Sequence, residues 1–252
     1  MSRLRGVAGV IALSLLAGAC SAVAKGSEEP GPLVVVLIDV SGSTRSEEIR
    51  AGYLETFGLV LDFAEEHQGT VIADVVDENP LAHSTYPVNA TFEACNALTD
   101  NQLTCDTRAR QTREEAVTTV EQILGSEERP AGTDIHNGLR LAERVFDAYP
   151  DAPGRYLVVL SDMVERSSSL NLGRPSFDAG RVGPMLDELA ADEEIPDLNG
   201  VSVYVVGAGV VANSELPADR ILAIERFWQG FFERSGAEWS PDRFGAALVR
   251  FP

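Results

Sequence analysis

Residues 33–43 read LVVVLIDVSGS. From Leu33 to Ile38 the run is apolar and rich in β-branched residues, the pattern of a strand buried on both faces of a parallel sheet. It stops at a carboxylate, Asp39, and enters a turn in which Gly42 lets the backbone bend at no steric cost. Positions 39, 41 and 43 alternate, so Asp39, Ser41 and Ser43 can face one side of that turn. A carboxylate and two hydroxyls thus arrive together at the end of a buried strand.

Outward from that strand, residues 46–66 carry Ile49, Tyr53, Phe57, Val60, Leu61 and Ala64 at helical spacing. Thr70–Val76 reads as a second strand. Residues 77–107 are polar and irregular, a surface insertion or hairpin. Helices follow at about 109–124 and 135–148, a buried strand at Arg155–Ser161 (RYLVVLS), a polar loop at 163–177 and a helix at 178–192. The chain ends with a strand at Val201–Val206, an amphipathic helix at about 217–235 and a last strand at 245–251. Strands alternating with helices predict one α/β domain, 33–252, with a doubly wound, mostly parallel central sheet flanked by helices. Ligands of such sheets sit beyond the C-terminal strand ends.

Two further segments point to that edge. RYLVVLS ends just before Asp162, and AGTDI at 131–135 puts Thr133 and Asp134 at a helix start. Asp39, Ser41, Ser43, Thr133 and Asp162 are all hard oxygen donors, the set that suits Mg²⁺, Mn²⁺ or Ca²⁺ rather than zinc or copper. Singly, the hydroxyl residues are also good helix N-caps. Asp39 and Asp162 fit capping less well, because uncompensated carboxylates beside a buried sheet are costly. Asp134 reads as a helix-start residue or one just behind the ion, Glu165 as a solvated loop charge rather than an edge of the site, and His136 as a helix-surface residue rather than one at the rim of the site.

DVSGS, GTD and SD, in that order and setting, resemble the metal-ion-dependent adhesion site of von Willebrand factor A domains: D-x-S-x-S, a distant T, a distant D. The resemblance covers residues 33 to about 251. It implies the Rossmann-like fold of that family, with Ser41, Ser43 and Thr133 meeting the ion through hydroxyls and Asp39 and Asp162 acting mostly through bound water. Neutral hydroxyls close in leave a cation under-neutralised. The resemblance further implies a protein partner whose Glu or Asp carboxylate completes the coordination, and no catalytic residue.

Composition narrows the remaining options. The 252 residues carry 39 acidic and 20 basic side chains, a formal net charge of −19, which excludes nucleic acid as a natural partner. Lys25 is the only lysine, so the domain lacks an ammonium for a phosphate clamp or Schiff base. Gly207–Ala212 (GAGVVA) fits a dinucleotide fingerprint but opens no helix at once, and reads as a strand-end loop. The aromatics of FWQGFFERSGAEW (227–239) read as core.

The N-terminus predicts export. Arg3 and Arg5 precede an apolar run, Gly6 to Leu16, and a small-residue cleavage site, Ala17-Gly18-Ala19. LLAGAC resembles the bacterial lipobox, so residues 1–19 read as a lipoprotein signal peptide and Cys20 as the lipidated residue. Lipid chains contribute about 0.8 kcal/mol per buried methylene and anchor without a membrane helix. An ordinary cleaved signal is the alternative. Residues 20–32 read as a flexible tether. Cys95 and Cys105, an even pair, predict a disulfide in an oxidising compartment; a two-thiolate metal site lacks nearby histidines.

These readings predict a membrane-anchored, extracytoplasmic interaction domain. A metal-dependent enzyme or accessory acting on phosphate or ester groups is one alternative. A structural envelope component with a vestigial metal site is another.

Overall fold

The computed structural model describes residues 30–96, 100–127, 130, 132–210, 216–248 and 251–252. The signal-peptide and Cys20 readings, and most of the tether, lie outside the described residues.

The apolar run forms β1 (Leu33–Asp39), every residue of it buried. Its even positions Val34, Val36 and Ile38 face one core, and Leu33, Val35 and Leu37 face the other. Around it lie β2 (Thr70–Val76), β3 (Val88–Thr91), β4 (Arg155–Leu160), β5 (Val201–Val206) and β6 (Phe244–Gly245). The sheet order is β3-β2-β1-β4-β5-β6, parallel except for β3, which pairs antiparallel with β2. The doubly wound α/β architecture expected from the sequence is therefore present.

Helices α1 (Glu47–Glu66), α2 (Pro80–His83), α3 (Gln102–Gly125), α4 (Ile135–Ala148), α5 (Ala179–Ala191) and α6 (Ala218–Arg234) complete the fold. The even face of β1 meets α1 and α3. The odd face meets α4, α5 and α6, where Phe227, Trp228, Phe231 and Phe232 are fully buried. Burying such a side chain stabilises by roughly 1.5–3 kcal/mol, so the aromatic run of α6 is core, as its spacing implied.

Three boundaries differ from the sequence reading. Residues 77–107 are not wholly irregular: they contain α2, the edge strand β3 and the first turn of α3. That helix begins at Gln102 because Asn101 caps it, accepting from the Thr104 N–H at 2.9 Å. The last strand is only Phe244–Gly245, because its ladder reaches the end of β5 and the Gly245 carbonyl then accepts from Gly207 and Ala208. Cys95 and Cys105 form a disulfide, tying the loop after β3 to α3.

Neighbours β1 and β4 leave the sheet in opposite winding directions, so their C-terminal ends flank the crevice where doubly wound sheets take ligands.

Candidate functional site

Parallel register builds this crevice. Ile38 pairs with Leu160, so Asp39 and Ser161 emerge side by side. Asp39 has the parity of Leu37 and points toward the α4 layer, from whose start Thr133 approaches. The Ser161 hydroxyl donates to Asp39 Oδ2 at 2.7 Å, and the Ser41 N–H donates to Oδ1 at 2.8 Å. The Thr133 hydroxyl lies 3.4 Å from Oδ1, and the Ser41 and Ser43 hydroxyls lie 3.0 Å apart. Asp162 accepts from the Val164 N–H at Oδ1, 2.9 Å away. Ser43 lies close enough to ease the charge of Asp162, yet Oδ2 is buried with no partner at hydrogen-bond distance among the described residues.

All five residues singled out in the sequence therefore converge, although Asp39 and Thr133 are 94 residues apart in sequence. Capping does not consume their side chains. Ser41 opens a 3-10 turn at Gly42–Thr44 without a side-chain cap bond. Helix α1 is capped instead by Ser46, which accepts from Ile49, and α4 by Asp134, which accepts from Asn137.

The electrostatics are those of two carboxylates out of water. Burial raises the Asp39 carboxyl above its ordinary range, against hydrogen bonds from Ser161, Ser41 and Thr133. Burial and then the Asp39 charge push Asp162 up to about 7, and the exposed Arg166 offsets only part of this. Tyr53 of α1 joins the group: burial and the two aspartates push its phenol well above the ordinary value, and its hydroxyl is buried with no hydrogen-bond partner among the described residues. Gly207 is obligatory beside it, because its φ is +99° and a β-carbon would sit 2.7 Å from the Tyr53 hydroxyl. Next to Asp162 lies a cavity of about 120 Å³, lined by Met163, Val164, Leu216, Ile221, Ile224 and Phe244 among others.

Two expectations are corrected. Glu165 is not a solvated loop charge and His136 is not on the helix surface; they are 0% and 1% exposed. His136 Nδ1 lies 2.5 Å from Glu165 Oε1 and 3.0 Å from Asp134 Oδ1. Burial works against charge on His136, but hydrogen bonds to Asp134 and Glu165 outweigh it and hold the imidazolium up to about 10. Burial raises Glu165, while Asp134 is lowered because the His136 and Asn137 hydrogen bonds overcome its burial. The available signal was a shared offset: His136 follows Thr133 by three residues, as Glu165 follows Asp162.

Solved structures similar to the chain include the manganese-loaded TRAP protein of Plasmodium vivax, at 12% identity over 87% of this chain and 70% of that one, with a TM-score of 0.46. A von Willebrand factor type A protein from Catenulispora acidiphila matches at 14% identity over 82% and 43% of the two chains, with a TM-score of 0.38. The pilus adhesin SpaC of Lactobacillus rhamnosus GG, in its open conformation, matches at 14% identity over 81% and 30%, with a TM-score of 0.39. No protein-family model and no curated protein matches the sequence. Among the described residues, no helix is long and apolar enough to cross a membrane.

Proposed function

We propose that Asp39, Ser41, Ser43, Thr133 and Asp162 form a divalent-cation site of the metal-ion-dependent adhesion type, and that the domain uses it to bind a partner protein through a carboxylate. The observation that carries this reading is the buried Oδ2 of Asp162, without a hydrogen-bond partner among the described residues, beside a second buried carboxylate. A burial so unfavourable is accounted for by a positive charge that these side chains do not themselves supply. The donors are oxygens only, which fits Mg²⁺, Mn²⁺ or Ca²⁺.

Ser41, Ser43 and Thr133 would hold the ion through neutral hydroxyls, and Asp39 and Asp162 would act mostly through bound water. Ser161 and the Ser41 N–H orient Asp39 by occupying both of its oxygens. A bound cation supplies positive charge that attracts an anionic oxygen from outside. The cavity beside Asp162, mostly apolar but edged by Glu225, suits an apolar side chain adjoining the partner's acidic one. Net acidity repels such a partner at long range, so recognition would depend on this short-range contact.

The same reading places the domain outside the cytoplasm, held to a membrane by lipid on Cys20 through the 20–32 tether. The Cys95–Cys105 disulfide fits an oxidising compartment. Mn²⁺ calorimetry on the lipid-free domain, followed by pull-down from envelope extracts with Mg²⁺ or with EDTA, tests the proposal. Saturable Mn²⁺ binding and EDTA-sensitive capture, both lost in Asp39→Ala, are expected. An Asp39→Ala protein that binds Mn²⁺ as the wild type does would sink it.

A further inference from the structure

The loop that carries Thr133 and the loop that carries Asp162 meet in a short antiparallel bridge. The Thr133 N–H donates to the Arg166 carbonyl at 3.1 Å, and the Arg166 N–H donates to the Thr133 carbonyl at 3.0 Å. Gly132 makes this approach possible, because a β-carbon there would lie 2.4 Å from the Arg166 carbonyl oxygen. Two hydrogen bonds at a crevice edge are a weak tie, since each contributes about 1 kcal/mol net.

A buried clamp lies directly behind this bridge. Glu165 Oε2 accepts the backbone N–H of His136 at 3.0 Å, and Oε1 faces His136 Nδ1 at 2.5 Å. Oε1 also accepts from the Ser167 hydroxyl at 3.1 Å. One carboxylate therefore holds both the first turn of α4 and its ring, while Asp134 caps the same helix and meets Nδ1 from the other side. The far nitrogen, Nε2, is buried with no hydrogen-bond partner among the described residues, and Glu194 lies 3.9 Å from it. The ring is committed at one atom to two carboxylates.

The Asp162 loop is held in an unusual shape as well. Met163 has φ +62°, a conformation that non-glycine residues seldom adopt. Its carbonyl accepts from the Trp228 indole N–H at 2.8 Å, in the α6 core. A strained residue of this kind persists only where its surroundings over-determine it. Glu165 on one side of Val164 and Trp228 on the other do so.

We propose that His136 and Glu165 are positioning residues for the oxygen cluster: their buried contact locks the Thr133 loop onto the Asp162 loop and so fixes the spacing of two of its donor side chains. Neither side chain need touch the ion. This inference rests on the cation-site reading for its consequence, but the lock itself concerns the protein alone. Groups that orient metal ligands from behind typically change affinity by 10–100-fold when removed.

Two measurements on Glu165→Ala, Glu165→Gln and His136→Gln test it, with Leu139→Ala in the α4 core as a control for lost stability. The first is amide hydrogen exchange at Thr133 and Arg166 without added metal. In Glu165→Ala these two amides are expected to exchange at least about tenfold faster, and in Leu139→Ala only as much as other amides of α4. The second is Mn²⁺ affinity, expected to fall by about 10–100-fold in Glu165→Ala, by less in Glu165→Gln, which keeps an acceptor for the His136 N–H, and not at all in Leu139→Ala. Wild-type protection of Thr133 and Arg166 in a folded clamp variant overturns the lock. Unchanged Mn²⁺ affinity overturns its role at the site. A wild-type protein that ignores Mn²⁺ defeats the cation-site reading instead, and the exchange data still decide the lock. Should Glu165→Ala fail to fold, the two glutamine variants preserve volume and give the same comparison.

Discussion

Two buried acidic clusters lie within a few residues of each other, and they handle their charge in opposite ways. In the first, Asp134 and Glu165 enclose an imidazolium, which is held up to about 10 and offsets one of their two charges from within. In the second, Asp39 and Asp162 meet hydroxyls and backbone N–H groups but, among the described residues, no buried basic side chain, and Asp162 is pushed up to about 7. Desolvation acts on both; only the first carries its own counter-charge. A protein pays stability to keep the second arrangement, and the proposed cation gives that cost a purpose.

The comparison breaks most decisively at Asp39. Asp39→Ala is expected to abolish Mn²⁺ binding in calorimetry, whereas Asp134→Ala should leave binding measurable while destabilising α4 by about 1 kcal/mol through loss of its cap. Equal losses of binding in the two variants would erase the distinction between the clusters.

Asp162→Asn sharpens it. Removing one of two repelling buried charges should raise the thermal midpoint of the metal-free protein by about 2–4 °C, for roughly 1 kcal/mol of relief. The same variant should lose the stabilisation that saturating Mn²⁺ gives the wild type. A lower metal-free midpoint would mean that the pair is already neutralised.

For the cluster that holds its own cation, pH is the probe. The folded-state pKa of His136 is raised from 6.5 to about 10, so its contribution to stability is complete below about pH 6.5 and is lost as pH rises toward 10. Wild-type protein should therefore lose more stability to denaturant between those pH values than His136→Gln. Parallel curves for the two proteins would contradict a buried imidazolium.

The smallest effect on either cluster is expected from reducing the Cys95–Cys105 disulfide. Opening that short loop should lower stability by about 2–3 kcal/mol in the chain-entropy picture, yet leave Mn²⁺ affinity unchanged. The bridge ties α3 to the loop after β3, at a distance from β1 and β4 along the sheet.

Much of the fold was legible because its signals are local. The apolar run LVVVLID can be buried on both faces only as an inner strand, and the Asp134 cap with its helical periodicity marked α4 to its observed ends, Ile135–Ala148. Short elements were not legible for the complementary reason. VNAT at β3 is four residues long, and its pairing with β2 supplies what its own propensity lacks. The C-terminal segment reads as a strand over 245–251, but the ladder with β5 is made by Phe244 and Gly245.

At the site, residue types and spacing alone named the five oxygen donors, since carboxylates and hydroxyls at strand ends stand out against an apolar chain. Which polar side chains would be dry was another matter. His136 and Glu165 look like surface residues in any local window, and they become a clamp only when two loops separated by 29 residues are brought together. Burial is a property of what the rest of the chain places around a side chain, so the donors could be read in one dimension and the charge balance around them required three.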